Sequence, residues 1–506
     1  MESSLRLINI RMKISAILSA FFNLLTVSNK LSRNIRLIIL WTIGLYTAET
    51  VVAESNAPMD RMSKPSYSRQ LAFPEAEGFG RFAKGGRGGT ILHVTNLNDR
   101  GPGSLREAVE SIGPRIVIFS ISGTISLRSE LKILNPYITV AGQTAPGDGI
   151  CIKTYPLIIS THNVIIRYLR IRLGDEAGRA VDGLSIANAE NVIVDHCSIS
   201  WTLDEAVNTW HQTRNITIQW CLIAESLHDS RVRDGHGFAA SLGGENTSYH
   251  HNLIANHAGR NPSIAGDLRN PTINLDFRNN AVFNWRHRTL DGKPRSINVV
   301  NNYYKPGPAS LKDLNLVKIQ QLQDQTFGKW YIDGNIMEGK VAGCKDNWNH
   351  LVEIPVKMPE SSRRDSACLN APVSTQSARK AFQDILNKSG AILPKRDKVD
   401  KRIVEEVRSG KTTYGNGIIS SQVEVGGWPE LLASKPEEDR DRDGLPDQWE
   451  SRYGARDGMS MQSSSDPDED GYTNIEEYLN STNPLEAEQL ILNFYPVKKH
   501  PTDLNH

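Results

Sequence analysis

Two groups of residues in this chain have the types and spacing for chemistry. The first lies near the C-terminus, where Asp439, Asp441, Asp443, Asp447 and Glu450 occupy positions 1, 3, 5, 9 and 12 of a twelve-residue stretch with Gly444 at position 6. Asp466, Asp468, Asp470, Asn474 and Glu477 repeat the arrangement around Gly471, 27 residues later. Hard oxygen donors at these positions, with a glycine for the sharp turn, meet the requirements of a calcium loop. The second group is spread over Asp182 to Arg260, where short β-branched runs recur, each followed by acidic or basic side chains: Asp204, Glu205, Arg231, Arg233 and His236 among them. Groups so far apart in sequence can act together only if the runs stack and present them on one face.

The runs themselves support stacking. They open at Asn163, Asn191, Asn215, Ser248, Asn274 and Ser296, at intervals of 28, 24, 33, 26 and 22 residues, which suits one coil of a solenoid with loops of varying length. A hairpin sandwich is the competing arrangement, but two-residue Asn-Gly connections are missing. Stacked asparagine amides can bond each other and the turn backbone in a buried column. The expected fold is all-β: a right-handed parallel β-helix, the hand following the general preference of parallel crossovers, with a few peripheral helices and a small C-terminal calcium-loop segment. Ser104 to Glu110 reads as a short helix, N-capped by Ser104, that covers the first coil. Ala378 to Leu386 and Asp397 to Arg408 read as helices packed on the solenoid, the second with Val399, Ile403, Val404 and Val407 on one face and Gly410 as its stop.

A formal net charge of +1 gives no whole-molecule basic field, so a nucleic-acid partner is not expected. Apolar stretches at Ile14 to Val27 and Leu37 to Tyr46, then Val51-Val52-Ala53, read as a secretion signal over residues 1–53. The product would be secreted, periplasmic or on the cell surface, with no stable membrane contact after cleavage, and monomeric. The expected organisation continues with a linker at 54–70, the β-helix at 71–305, an extension packed on it at 306–435, the calcium loops at 436–485 and a tail at 486–506. Cys197 and Cys221 each follow an opening Asn by six residues and should stack in adjacent coils as buried thiols, whereas Cys344 and Cys368 are the better disulfide candidates. His250 and His251 are adjacent on a strand and should point to opposite faces, a poor zinc pair.

Residues 72–305 resemble the pectate lyases of polysaccharide lyase family 1, especially secreted bacterial members. The resemblance is carried by Ala72-Phe-Pro-Glu-Ala-Glu-Gly-Phe-Gly, Gly101-Pro-Gly-Ser-Leu-Arg-Glu-Ala, Ala141-Gly-Gln-Thr-Ala-Pro-Gly, Val194-Asp-His-Cys-Ser, Tyr249-His-His-Asn and Arg260-x-Pro262. It implies cleavage of pectate, an acidic plant polysaccharide, by calcium-assisted β-elimination. It makes Asp182 and Asp204 calcium ligands, puts Asn208 where a further aspartate is usual (Glu205 being a possible substitute), and makes Arg260 the proton abstractor. Asp195 matches a position that looks structural. A lyase needs a cation to neutralise charge building on the uronate carboxylate, and an arginine base needs a field that lowers its usual pKa, above about 12.

Two departures from the family pattern stand out. Ala265 replaces a second arginine, which Arg269 replaces only if its loop folds back, and no lysine occurs between Lys153 and Lys293. Arg231, Arg233 and His236 are the candidates for holding a substrate carboxylate in place of the missing lysine. Trp201, Trp210 and Trp285 are candidate sugar platforms, with Trp220 expected in the core. The tail repeats resemble dockerin or thrombospondin type 3 calcium repeats and imply a structural role or a cell-surface or scaffold partner. The rival functions are a polygalacturonase-like hydrolase on the same fold and a catalytically silent carbohydrate-binding protein.

Overall fold

A computed structural model describes residues 70–340, 345–454 and 461–488. The expected signal, nearly all of the linker, Cys344 and most of the 486–506 tail lie outside the described residues. No helix among the described residues is long and apolar enough to cross a membrane.

Short parallel strands wind into a three-faced β-helix. The first face is built from β1 (Leu131–Ile133), β2 (Leu157–Ile159), the start of β3 (Leu184–Asp195), the start of β4 (Glu205–Gln219), β5 (Phe238–Leu242), β6 (Ser263–Ile264), β7 (Leu290–Gly292) and β8 (Val317–Ile319). Their registers align Lys132, Ile158, Ser185, Asn208, Ser241, Ser263, Asp291 and Lys318 in one outward column. The residues flanking that column, such as Leu184, Ile186, Val207 and Leu242, point into the core. β3 and β4 continue around a corner onto the second face, and the third face is a separate nine-stranded sheet.

Corners explain the repeated asparagines. Asn163, Asn191, Asn215, Asn246 and Asn274 all have left-handed backbones, with φ between 54° and 57°, a conformation asparagine tolerates better than most residues. Side-chain bonds link Asn215 to Asn191 (3.1 Å) and Asn274 to Asn246 (2.9 Å). The fully buried ladder, however, is made by different asparagines, those that follow the runs. Asn252, Asn280, Asn302 and Asn335 each bond the next, ending on Asn347, with backbone N–H and side-chain amide both donating to the following Oδ1. Cys197 and Cys221 occupy the same column two coils and one coil earlier, as free buried thiols, and the Cys221 N–H donates to Asn252 at 2.9 Å. Cys368 is also a free thiol, half-buried.

Several expectations need correction. The coils do not stop at 305: parallel strands continue through Val317–Ile319 and Lys329–Asp333 to Val352–Glu353. These strands are short, and exposed Lys318 interrupts the apolar run, so periodicity alone does not reveal them. Trp220 does not enter the core. It sits at a left-handed corner (φ 52°) and stacks on His251 with ring centroids 4.4 Å apart. Trp201 and Trp285 are fully buried and cannot meet a sugar. His251 is likewise left-handed, which breaks the strand alternation and brings its Nδ1 within 3.0 Å of the His250 Nδ1.

Peripheral elements close the solenoid. α1 (Leu105–Glu110) covers its first coil, and the Ser104 hydroxyl accepts from the Glu107 N–H. α2 (Ala378–Lys388) and α3 (Lys398–Ser409) pack Ala381, Ile385, Ile403 and Val407 against Leu222, Leu253 and Phe283 of the third face. Asp397 caps α3 and also pairs with buried Arg172, which bonds Asp400 at 2.7 Å. In the calcium-loop segment, α4 (Asp447–Tyr453) and α5 (Asn474–Asn480) each continue directly from a loop, and Leu445 and Ile475 are buried against Ile116, Ile118 and Ala141 of the second face.

Candidate active site

The site is assembled on the first face by the turns that lead into its strands. Asp182 precedes β3, Asp204 precedes β4, Glu205 begins β4, and Arg260 precedes β6. Carboxylate oxygens of Asp182, Asp204 and Glu205 all lie within 4.8 Å of one another. Burial, then the neighbouring Asp204 charge, pushes the Asp182 carboxyl up to about 6, opposed by hydrogen bonds from Asn208 and Ser185 and by Arg260. Carboxylates crowded this way fit a hard cation such as calcium. Glu205, rather than Asn208, is the third acidic group of this cluster, and the Asn208 amide donates to Asp182.

Arg260 reaches this cluster from the far side. Its guanidinium pairs with Glu205 and lies 4.1 Å over the Phe238 ring. Its backbone is left-handed (φ 54°), an uncommon state for a long side chain and one that recurs at functional sites. Burial and then the Arg288 charge lower its pKa, while Asp204, Asp291 and Asp182 raise it, and the net direction is downward. An arginine held below its ordinary value is the condition for its use as a base.

Arg288 was not anticipated from the sequence. It belongs to the turn entering β7, one coil after Arg260, where its Nε donates to Asp291 (2.8 Å) and its Nη2 to Ser263 (3.2 Å). Its charge acts on Arg260, which Ala265 cannot do. Its signal was the coil length: Arg288 follows Arg260 by 28 residues, the same step as Asn252 to Asn280. Tracking the coil register would have found it.

The four expected substrate-binding residues separate. Arg233 is at the site, with Nη1 donating to Asp204 at 3.0 Å. His236 lies beside it, its ring 4.9 Å from Phe238, the ring under Arg260. Arg231 is turned away, its guanidinium donating to the Asp175 carbonyl at 2.7 and 3.1 Å. Arg269 does not fold back. β6 is only two residues long, and the chain leaving it enters a tight turn in which Asp267 accepts from the Arg269 N–H at 2.7 Å. The side chain lines a different groove, with Trp210, Asn270 and Arg214. Asp195 is a buried structural residue, bonded by Arg167, His196 and Gln219.

The calcium loops fit their ion by an independent sign. Gly444 and Gly471 have φ of 95° and 99°, the turn that loop position 6 demands. Buried carboxylate and amide oxygens without any hydrogen-bond partner include Asp439 Oδ1, Asp466 Oδ1, Asp468 Oδ2, Asn474 Oδ1 and both oxygens of Glu477. Buried polar atoms seldom go unpaired, and these belong to loop position 1 of the first loop and positions 1, 3, 9 and 12 of the second. Burial, with the charges of Asp470 and Asp468, raises the Glu477 carboxyl to about 7.

No family model matches the chain. A probable pectate lyase C from Aspergillus fumigatus is 33% identical over 424 residues, covering 82% of this chain and 94% of that protein. The corresponding protein of Aspergillus flavus is 33% identical over 430 residues, covering 82% and 95%. Among solved structures, jun a 1, the major allergen from cedar pollen, aligns with a TM-score of 0.46 at 16% identity, covering 62% of this chain and 92% of that one. The extent of the sequence identity is decisive: this chain belongs to the pectate lyase family.

Proposed function

We propose that this protein is a polysaccharide lyase that cleaves polygalacturonate by calcium-assisted β-elimination, with calcium held by Asp182, Asp204 and Glu205 and Arg260 as the base. The observation that carries the reading is the convergence of three carboxylates from two successive coils beneath an arginine whose pKa is lowered. Calcium bound there would neutralise the charge that develops on the uronate carboxylate as the neighbouring proton leaves. The protein's own groups do the rest. Glu205, with Asp182 and Asp204, would hold the ion; with their charges taken up by it, the Arg288 charge would favour the neutral guanidine needed at Arg260 to take the proton. Arg233 and His236 stand beside Asp204 and Phe238, placed to orient a second carboxylate. The hydrolase alternative has less support, because it needs a carboxylic acid and a carboxylate facing each other across a scissile bond, whereas these three converge on one another beside Arg260.

The same reading has the chain secreted, as its N-terminal pattern implies, and loaded with further calcium in the tail repeats, whose sequences resemble dockerin or thrombospondin type 3 repeats. Their apolar residues are packed on the protein's own second face, which favours a structural role for them over recruitment of a scaffold.

The test is turnover of demethylated polygalacturonate, followed by ultraviolet absorbance of the unsaturated product, for wild type and Arg260→Ala with and without chelator. Wild type should form that product only with calcium. Arg260→Ala should lose about 10²- to 10⁴-fold in kcat, the usual contribution of a positioned proton-transfer group, with an unchanged circular dichroism spectrum. Equal rates would remove Arg260 from the mechanism, and a saturated reducing-end product would favour hydrolysis.

A further inference from the structure

The first face does not end at the calcium ligands. Toward the N-terminus its outward column continues through Ile158 on β2 to Lys132 on β1. The turns that enter these two strands carry Arg128 and Tyr155, in the row that further on carries Asp182, Asp204 and Arg260. The loop before β3 supplies Arg179, three residues before Asp182. These residues line an open groove of about 790 Å³ at the capped end of the solenoid. Five of its side chains are cationic against two carboxylates, Glu110 and Glu130; Arg100 and buried Arg106 are paired with Asp99 just outside it, which leaves Arg128, Lys132 and Arg179 to face the groove. Arg128 is exposed and makes no ion pair among the described residues. Lys132 and Arg179 share Glu130, and the Arg179 guanidinium lies 5.5 Å from the Tyr155 ring centre. A protein with a net charge of +1 has concentrated cations here, along the line of its own active-site turns.

We propose that this groove is a distal subsite for the same acidic polysaccharide, resting on the lyase reading above: Arg128, Lys132 and Arg179 receive uronate carboxylates, and Tyr155 offers an apolar platform beside them. The chemistry is that of a polyanion with one carboxylate per sugar. Guanidinium groups suit carboxylates, and several exposed cations in a row suit a repeating anion. Five strand steps separate β1 from β6, roughly 24 Å at the usual interstrand spacing. A trisaccharide seated at Arg260 is too short to span that distance, whereas a polymer lying along the column reaches both ends. The groove therefore confers a preference for long chains, with binding energy gained remotely from the bond that breaks.

The test compares wild type with an Arg128→Ala/Lys132→Ala double variant, both sites being exposed and the fold checked by thermal unfolding. Kinetics are measured on polygalacturonate and on trigalacturonate. The variant should show about a tenfold higher KM on the polymer with kcat unchanged, and no change on the trimer. An equal effect on both substrates, or none on either, overturns the proposal. Affinity electrophoresis in gels containing polygalacturonate reads the groove without turnover, with fully methyl-esterified pectin as the uncharged control. The variant should be less retarded than wild type by the acidic polymer and the same in the control. Should the wild type prove inert as a lyase, reduced retardation still supports the groove while the lyase reading fails; unchanged retardation overturns the groove.

Discussion

Arg260 works in a field of mixed sign. Glu205 pairs with it, Asp182 and Asp204 lie close by, and Arg288 opposes them from the next coil. Removing Arg288 should raise the Arg260 pKa, because it deletes a charge that disfavours the protonated form. For Arg288→Ala, the limb of kcat/KM that rises with pH should therefore move to higher pH. The value at its plateau should fall by about 10²-fold, the scale for loss of one preorganised charge donor, and Arg288→Lys should recover part of it. A pH–rate series on the two variants checks this. An unchanged profile would make Arg288 a structural partner of Asp291 alone. Asn208 is a less informative target: it bonds Asp182 rather than adding a charge to the set, so the three carboxylates dominate cation affinity.

At the scale of elements, the stability of the coils lies in buried columns. Asp195 closes β3 beneath the N-terminal segment, fully buried, with Arg167 Nε and His196 Nδ1 each at 2.8 Å and Gln219 Nε2 at 2.9 Å. Burial alone would raise its pKa, but His196 and Arg167 more than offset this and hold the carboxyl well below the usual carboxylate range. The sign follows from that depression. Its stabilisation is complete above the unfolded pKa of about 3.9 and is lost as pH falls toward the depressed folded value. Asp195→Asn should cost about 3 to 5 kcal/mol at neutral pH, since it strands the Arg167 charge, and should flatten the acid limb of stability against pH. Urea unfolding of both proteins from pH 7 down to pH 3 measures both effects.

For the whole molecule, the C-terminal loop segment acts as a clasp. It buries Leu445 and Ile475 against the second face, and α5 is tied to the coils by Arg87–Glu476 and by Arg167 donating to Asn480. Each loop filled at calcium a hundredfold above its Kd would add about 2.7 kcal/mol. Chelation should therefore lower Tm even in protein whose active-site carboxylates are mutated. Glu477→Gln should lower the Tm of the calcium-loaded protein and shrink the drop on chelation, as scanning calorimetry would show. A chelation effect confined to activity, with Tm unmoved, would mean the loops carry no structural ion.

The sequence by itself determined what is local. A left-handed corner selects asparagine, a twelve-residue calcium loop needs its oxygens and glycine at fixed positions, and a helix needs its cap; each is set within a few residues, so Asn191, Gly444 and Ser104 could be read directly. Arg260 and its acidic partners were legible too, because motif residues mark them along the chain. Which groups meet across coils was decided only by the tertiary structure. Loop lengths between stacked runs vary from one coil to the next, so distance along the chain fixes neither the coil position nor the direction of a side chain. Arg288 therefore arrives beside Arg260, Arg269 and Arg231 do not, and a tail that reads as separate closes back on the second face. Those outcomes depend on register and packing through space, and the solenoid had to be wound before either could be known.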